Sequence, residues 1–372
     1  MRLLEVTNDF PPTLGGIENY VYSLVSRWEP DKVTVFTRKR PGDREVDRKL
    51  AFEVIRDPAR FLFHTERVTK DLLDLARDRS IDVVHFASVL PLALIGPRLK
   101  ENGIPYAVTV NGSEFTMPAG LPGGRALLTK ALSPAAAILP YAPFLERRVR
   151  RLLPAHQGIR AVAPGVDLER FGHAARPIFQ SPSGGPVVLY VGRLIPRKGA
   201  LALVQAFPEV LRVVPDAHLL ICGDGPDRTR IENLSRQSGL GDSMTMTGGV
   251  PWQRVPGYMK SATVFAQPVR ERYGGRETEG FGIVFLEAAA SGLPTVGGNV
   301  GGIRDAVSDG ETGILVDGKS QDQIAEALIR LLTDPSLAEK MGSAGRSRVE
   351  ERFTWSRFYE DFRSALEGTV GS

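Results

Sequence analysis

The chain has little of what builds cross-links or metal cages. One cysteine, Cys222, excludes an internal disulfide and a cysteine-rich metal site. It sits in the apolar run His218–Cys222 and reads as a small buried hydrophobe, compatible with a reducing compartment. The five histidines are scattered and no Asp-x-Asp occurs, so no metal site is expected. No apolar run approaches the ~20 residues a membrane span needs. Met1–Asn8 enters a strand pattern with no signal-peptide core, so a cytoplasmic location is expected. G-x-G-x-x-G is missing after the first strand, which argues against a dinucleotide cofactor. Acidic residues are nearly missing from Arg125–Arg160, where seven Lys/Arg face Glu146 alone. Without aromatic interleaving or a known module, that run does not indicate nucleic acid. It is either a solvated helix face or a surface attracted to anionic lipid, which would place the chain peripherally on a membrane.

What is present is a long alternation of strand and helix patterns over 372 residues, enough for two domains. The first half reads as strands at Leu3–Thr7, Lys32–Thr37, Ile81–Phe86, Tyr106–Val110, Ala136–Leu139 and Arg160–Ala163. Helices are expected at Glu66–Arg79 and Phe144–Leu153. Phe171–Pro186, rich in Pro, Gly and Ser, breaks the rhythm and reads as an interdomain linker. The alternation resumes with strands at Val187–Val191, Ala217–Cys222, Ser243–Thr247, Thr263–Ala266, Pro294–Val296 and Gly313–Leu315. Near-continuous apolar strands separated by helices predict α/β architecture, two doubly wound Rossmann-like domains facing a cleft. The expected domains are 1–172 and 173–353, with a last helix, 354–368, returning to the first. Ligands of such sheets bind at the carboxyl ends of the strands, where the glycine-rich loops of this chain fall.

Three loops carry chemistry. Gly15-Gly16 opens the first helix and allows close approach of a phosphate, although a plain strand-to-helix turn accounts for it equally well. Gly192-Arg-Leu-Ile-Pro-Arg-Lys-Gly199 places Arg193 and Lys198 where fixed cations would stabilise a departing diphosphate. Glu279-Gly-Phe-Gly-Ile-Val-Phe-Leu-Glu287 is the most specific signal. Gly280 and Gly282 free the backbone around Phe281, leaving the amides of Gly282, Ile283 and Val284 to meet phosphate. In one continuous helix its two carboxylates would be about 12 Å apart along the axis. Hydrolase pairs stand roughly 5 to 9.5 Å apart, so two-point grip on an extended ligand fits better. A fourth loop, Gly297–Gly302, either closes over a ligand or simply turns the chain.

Together with Ala163-Pro-Gly-Val-Asp167, these motifs resemble family 4 glycosyltransferases, retaining enzymes of the GT-B fold. The runs Thr7–Pro12 and Glu279–Ala289 are most similar to GDP-mannose-dependent phosphatidylinositol mannosyltransferases of the PimB type. The resemblance covers essentially the whole chain. It implies transfer of a hexose, mannose from GDP-mannose being favoured, to an acceptor hydroxyl, with the nucleotide sugar as substrate and no separate cofactor. It implies that Arg193 and Lys198 hold the diphosphate, Glu279 the hexose and Glu287 the ribose. The amides of Gly282–Val284 and of Gly15-Gly16 would surround the phosphates.

One departure bears on the acceptor. The PimB-type His-Gly-His-Glu loop is Asn111-Gly112-Ser113-Glu114 here, which keeps hydrogen bonding but no group titrating near neutrality. Asp9, Asn111 and Ser113 are the acceptor candidates. Glu114 either takes part in catalysis by orienting the acceptor or caps its own loop. An anionic membrane lipid is the acceptor suggested by the resemblance. A UDP-sugar transferase with a soluble or polysaccharide acceptor, a nucleotide-sugar epimerase and a silent binder are the alternatives, and oligomeric state is not readable.

Overall fold

The computed structural model describes residues 1–13, 15–172 and 174–370, side chains at 369 and 370 excepted. The chain forms two compact units, Met1–Pro164 joined by the stretch from Ser356 onward, and Gly165–Trp355. Each unit is built on a six-stranded parallel sheet. The first contains β1 (Leu3–Val6), β2 (Val33–Arg38), β3 (Glu53–Asp57), β4 (Val83–Phe86), β5 (Tyr106–Val110) and β6 (Ala137–Pro140), in the order β3-β2-β1-β4-β5-β6. The second contains β7 (Val187–Val191), β8 (His218–Cys222), β9 (Met244–Gly248), β10 (Val264–Gln267), β11 (Thr295–Gly298) and β12 (Gly313–Val316), in the order β12-β11-β10-β7-β8-β9. Read from its own first strand, the second sheet repeats the order of the first, the doubly wound 3-2-1-4-5-6 arrangement.

In both sheets the order reverses beside the unit's first strand, between β1 and β4 and between β7 and β10. That switch point splays the flanking loops and leaves a crevice at the strands' carboxyl ends. Strands such as β7 (VVLYV) and β8 (HLLIC, polar only at His218) are nearly continuous apolar runs because helices cover both faces. The helices Ala200–Val213 and Gln321–Thr333 pack their buried Leu203, Phe207, Leu328 and Leu331 into one core under that sheet.

Several expectations shift. Glu53–Asp57 is a strand that its charged edge sequence did not advertise. Arg160–Ala163 is not a strand; a bridge between Ile138 and Ile159, and bonds from Arg160 and Val162 amides to Ile138 and Pro140 carbonyls, merely lay it beside β6. The second unit begins at Gly165, ahead of the 172/173 boundary, because Val166 bridges Thr354 and Phe171 packs on Trp252. Phe171–Pro186, apart from His173, which lies outside the described residues, runs over the second unit instead of linking two. There the amides of Ile178 and Phe179 both donate to Ser261 Oγ at 3.0 Å. The last helix, Trp355–Val370, seals the first unit with buried Phe358, Phe362 and Leu366. Phe362 stands edge-on to His85, whose Nδ1 meets Glu5 Oε2 at 2.7 Å in the core.

Candidate active site

The loop after β7 is pressed onto the end of β10. Gly192 has φ +154°, and a Cβ there would fall 2.7 Å from Gln267 Nε2; one on Gly199 would fall 2.0 Å from the Pro268 carbonyl oxygen. Only glycine fits either place. Between them Arg193 is exposed, while Pro196–Lys198 makes a single tight turn. The turn delivers Lys198 Nζ to 2.9 Å from Glu279 Oε2 and 3.3 Å from Gln267 Oε1. Burial depresses the Lys198 pKa, Glu279 opposes that, and the charges of Arg197 and Arg193 depress it further. Arg197 bonds the same Glu279 oxygen and stands 3.9 Å from Glu277 Oε1. Burial alone would raise the Glu279 pKa, but Lys198 and Arg197 outweigh it and hold the carboxyl below its ordinary value. Glu279 is therefore ionised at neutral pH.

Glu279 does not lie on the helix it precedes. The helix Ile283–Ala290 begins after Gly282, which has φ +84° and no room for a Cβ, Ile303 Cδ1 being 2.6 Å away. Only Glu287 of the two carboxylates is helical, so the continuous-helix spacing does not apply. No side chain caps the helix start, which leaves the first-turn amides facing outward with the positive end of the helix dipole. Gly302 donates its amide to the Glu279 carbonyl at 3.0 Å, and side chains at Gly301 or Gly302 would strike that segment. The 299–302 loop thus braces the carboxylate loop. Glu287 Oε1 accepts a hydrogen bond from Trp252 Nε1 at 3.0 Å, and the Arg170 guanidinium lies 3.7 Å over the Trp252 ring. Burial pushes the Glu287 pKa up to about 7, against the Trp252 bond and the charges of Arg170 and Lys198.

In the first unit the candidates sit at equivalent strand ends but are occupied differently. Gly15 and Gly16 start the helix Gly16–Val25, again without a side-chain cap. Asp9 is tied through its amide to Thr7 Oγ1 at 2.9 Å; burial raises its pKa while Arg38 and Arg40 lower it. Asn111 Nδ2 donates to the Ala87 carbonyl at 2.8 Å, and its Oδ1 is buried with no partner. Ser113 begins the helix Ser113–Ala119. Glu114 accepts from the Asn111 amide and lies against those of Gly112 and Glu114; burial raises its pKa and these amides oppose the rise. Its carboxylate clamps the loop that carries it.

Two families match the sequence, Glycosyltransferase Family 4 over residues 14–170 and Glycosyl transferases group 1 over residues 173–348. A GDP-mannose-dependent monoacylated alpha-(1-6)-phosphatidylinositol monomannoside mannosyltransferase from Corynebacterium glutamicum is 32% identical over 375 residues, 98% of each chain. This chain is a family 4 glycosyltransferase. A GDP-mannose-dependent alpha-(1-6)-phosphatidylinositol monomannoside mannosyltransferase from Mycolicibacterium smegmatis is 34% identical over 95% of each chain. Among solved structures, sucrose-phosphate synthase from Thermosynechococcus elongatus aligns over 99% of this chain and 98% of its own, with TM-score 0.79 and 22% identity. Anabaena HepE in complex with UDP and glucose aligns over 99% of both chains with TM-score 0.82 and 15% identity. These likenesses establish the fold as GT-B, two Rossmann-like domains.

In the glycosyltransferase, then, the structure brings Lys198 and Glu279 together and sets Glu287 close enough to feel the Lys198 charge. Arg193 stands on the same loop with its side chain in solvent. Sequence reasoning missed Arg197, Gln267, Trp252, Arg170 and Glu277. Arg197 was inside the quoted motif, next to Lys198, and its charge was the available signal. Trp252 and Arg170 come from short helical turns with no pattern of their own and meet Glu287 only by folding. Among the described residues, no group of three His, Cys, Asp or Glu is placed to hold a metal ion.

Proposed function

We propose that this glycosyltransferase moves mannose from GDP-mannose to a hydroxyl of a phosphatidylinositol mannoside, with retention at the anomeric carbon. The observation that carries the reading is near-full-length identity above 30% to relatives named for that donor and that acceptor class. The chemistry of the second unit supports it. Arg193, Lys198 and the uncapped amides of Gly282, Ile283 and Val284 offer positive charge to a diphosphate, Glu279 offers an ionised acceptor to hexose hydroxyls, and Glu287, its pKa pushed up to about 7, offers a carboxyl to the ribose hydroxyls. As the bond from the sugar C1 to phosphate oxygen breaks, these cations take up the leaving group's charge. The new bond forms from C1 to the acceptor oxygen, whose proton passes to the departing phosphate. Asp9, Asn111, Ser113 and Glu114, with the Gly15-Gly16 loop, are assigned to the acceptor side.

The first unit also offers a surface suited to a lipid-borne acceptor. On and before the helix Gly124–Leu132, Leu121 is 50% and Leu127 47% exposed, beside exposed Arg125 and Lys130. Apolar side chains flanked by cations suit peripheral docking on an anionic leaflet. Among the described residues no helix is long and apolar enough to cross a membrane.

The test is incubation of the purified protein with GDP-mannose and phosphatidylinositol monomannoside in vesicles, followed by mass spectrometry of the lipid. Gain of one hexose, in the α configuration by NMR, is expected. Hexose transfer from a UDP-sugar only, or to a water-soluble acceptor only, would replace this reading. Asn111 and Ser113 stand where the resemblance leads one to expect histidines, so the acceptor is the part of the reading that this experiment decides.

A further inference from the structure

Two cations converge on one oxygen. Glu279 Oε2 takes both the Lys198 ammonium, at 2.9 Å, and the Arg197 guanidinium. The two differ in their freedom. Lys198 hangs on a flexible stem and shares its charge with the neutral amide oxygen of Gln267. Arg197 is more tethered: its carbonyl accepts the Arg270 amide at 2.9 Å, and Glu277 Oε1 stands 3.9 Å from its Nε, an ion pair on a second side without a hydrogen bond. Glu277 is itself anchored by Arg272 at 2.8 Å, across a short bridge between residues 272 and 277. The Arg270 guanidinium, bonded to the Pro196 carbonyl at 2.8 Å, pins the same hairpin to the 192–199 loop.

A diphosphate reaching that loop would compete with Glu279 for Lys198. A buried carboxylate losing its only counter-ion would resist the exchange, because an uncompensated buried charge is costly. We infer that Arg197 is a positioning residue for donor binding: it keeps Glu279 compensated and oriented, so that the Lys198 ammonium can pass from Glu279 to the diphosphate. This rests on the reading of Lys198 as a diphosphate ligand. Arg197 itself needs no contact with phosphate. Guanidinium suits the task because it stays charged at all relevant pH values and serves two carboxylates at once. The hairpin 270–278 is then the frame that holds Arg197 while Lys198 moves.

Calorimetric titration of GDP into the full chain separates this from a merely structural role. Arg197→Ala is expected to weaken GDP binding about tenfold, the scale of one charge-assisted contact, with the fold intact by circular dichroism. Glu279→Gln in the same chain should restore most of that affinity, since no carboxylate then detains Lys198. Arg197→Lys, which keeps a charge at the site and is the variant to rely on if Arg197→Ala does not fold, should stay within about threefold of wild type. Unchanged affinity in Arg197→Ala, a double variant as weak as the single one, or tenfold loss in Arg197→Lys would each overturn the exchange. Wild type that binds no nucleoside diphosphate would instead remove the donor-site reading beneath it.

Discussion

The two units share a strand order and a switch point, yet the carboxyl ends of their sheets are built from opposite materials. In the second unit, polar and charged side chains from separate segments meet there: Lys198 and Arg197 on Glu279, Trp252 and Arg170 about Glu287. In the first, Asn111 and Glu114 spend their hydrogen bonds on their own neighbourhood's backbone, at Ala87 and at residue 111. The first unit's closest buried acid–histidine contact, Glu5 with His85, is sealed in the core under the last helix. One scaffold thus gathers cations onto buried carboxylates in one unit and ties its polar loop residues to backbone in the other. A ligand of fixed, high charge needs preorganised counter-charges; an acceptor hydroxyl needs shape and a few hydrogen bonds.

The contrast breaks most visibly at turnover. Arg193→Ala and Lys198→Ala should each lower kcat by ~10²–10³, the usual size of one charge-stabilising donor, while leaving the melting temperature close to wild type. Turnover should be unaffected by a chelator. Activity abolished by chelation and restored by Mg²⁺ or Mn²⁺ would place the charge stabilisation elsewhere.

A smaller effect concerns Glu287. Its folded pKa, about 7, lies above its unfolded value, so the folded state binds the proton more tightly. The stability this proton contributes is complete below the unfolded value and is lost as pH rises through 7. Glu287→Gln removes the penalty of the buried charge, so at pH 8 the variant should melt a few degrees above wild type. Near pH 4 the two should converge, as differential scanning calorimetry would show. Weaker nucleotide binding should accompany the gain, since functional sites often trade stability for chemistry. A gain equal at both pH values would mean that packing, not charge, sets it.

What the sequence made legible follows from locality. The β7 and β10 loops announced themselves because their tight packing needs glycines at set positions within a few residues: Gly192, Gly199 and Gly282 lie where a Cβ collides with Gln267, Pro268 or Ile303. Apolar strands buried on both faces were similarly plain. Arg170 and Trp252 were not, because their partnership with Glu287 depends on which loops the fold juxtaposes. The charged edge strand Glu53–Asp57 lacked the apolar run that marked its neighbours, since its residues are mostly half-buried. Phe171–Pro186 read as a linker from composition alone; its tie to Ser261 is a tertiary contact without local trace.

The weakest expected effect lies at the first unit's basic surface. Arg125→Glu with Lys130→Glu should abolish flotation with vesicles containing anionic lipid at low salt, at about 1 kcal/mol per basic residue. High salt should do the same to wild type. Of the basic run, Arg150 and Arg160 are engaged by Glu146 and Asp361, so reversing those two should matter less. Wild type that stays in the soluble fraction at low salt would leave this face without a membrane role.

The division of labour between the halves is tested most directly by titrating GDP into wild type, Lys198→Ala, Asn111→Ala and Glu114→Gln under one set of conditions. Lys198→Ala should lose about tenfold or more in affinity, and the two first-unit variants should match wild type. First-unit variants that weaken GDP as much as Lys198→Ala does would contradict the assignment of donor charge to the second unit alone.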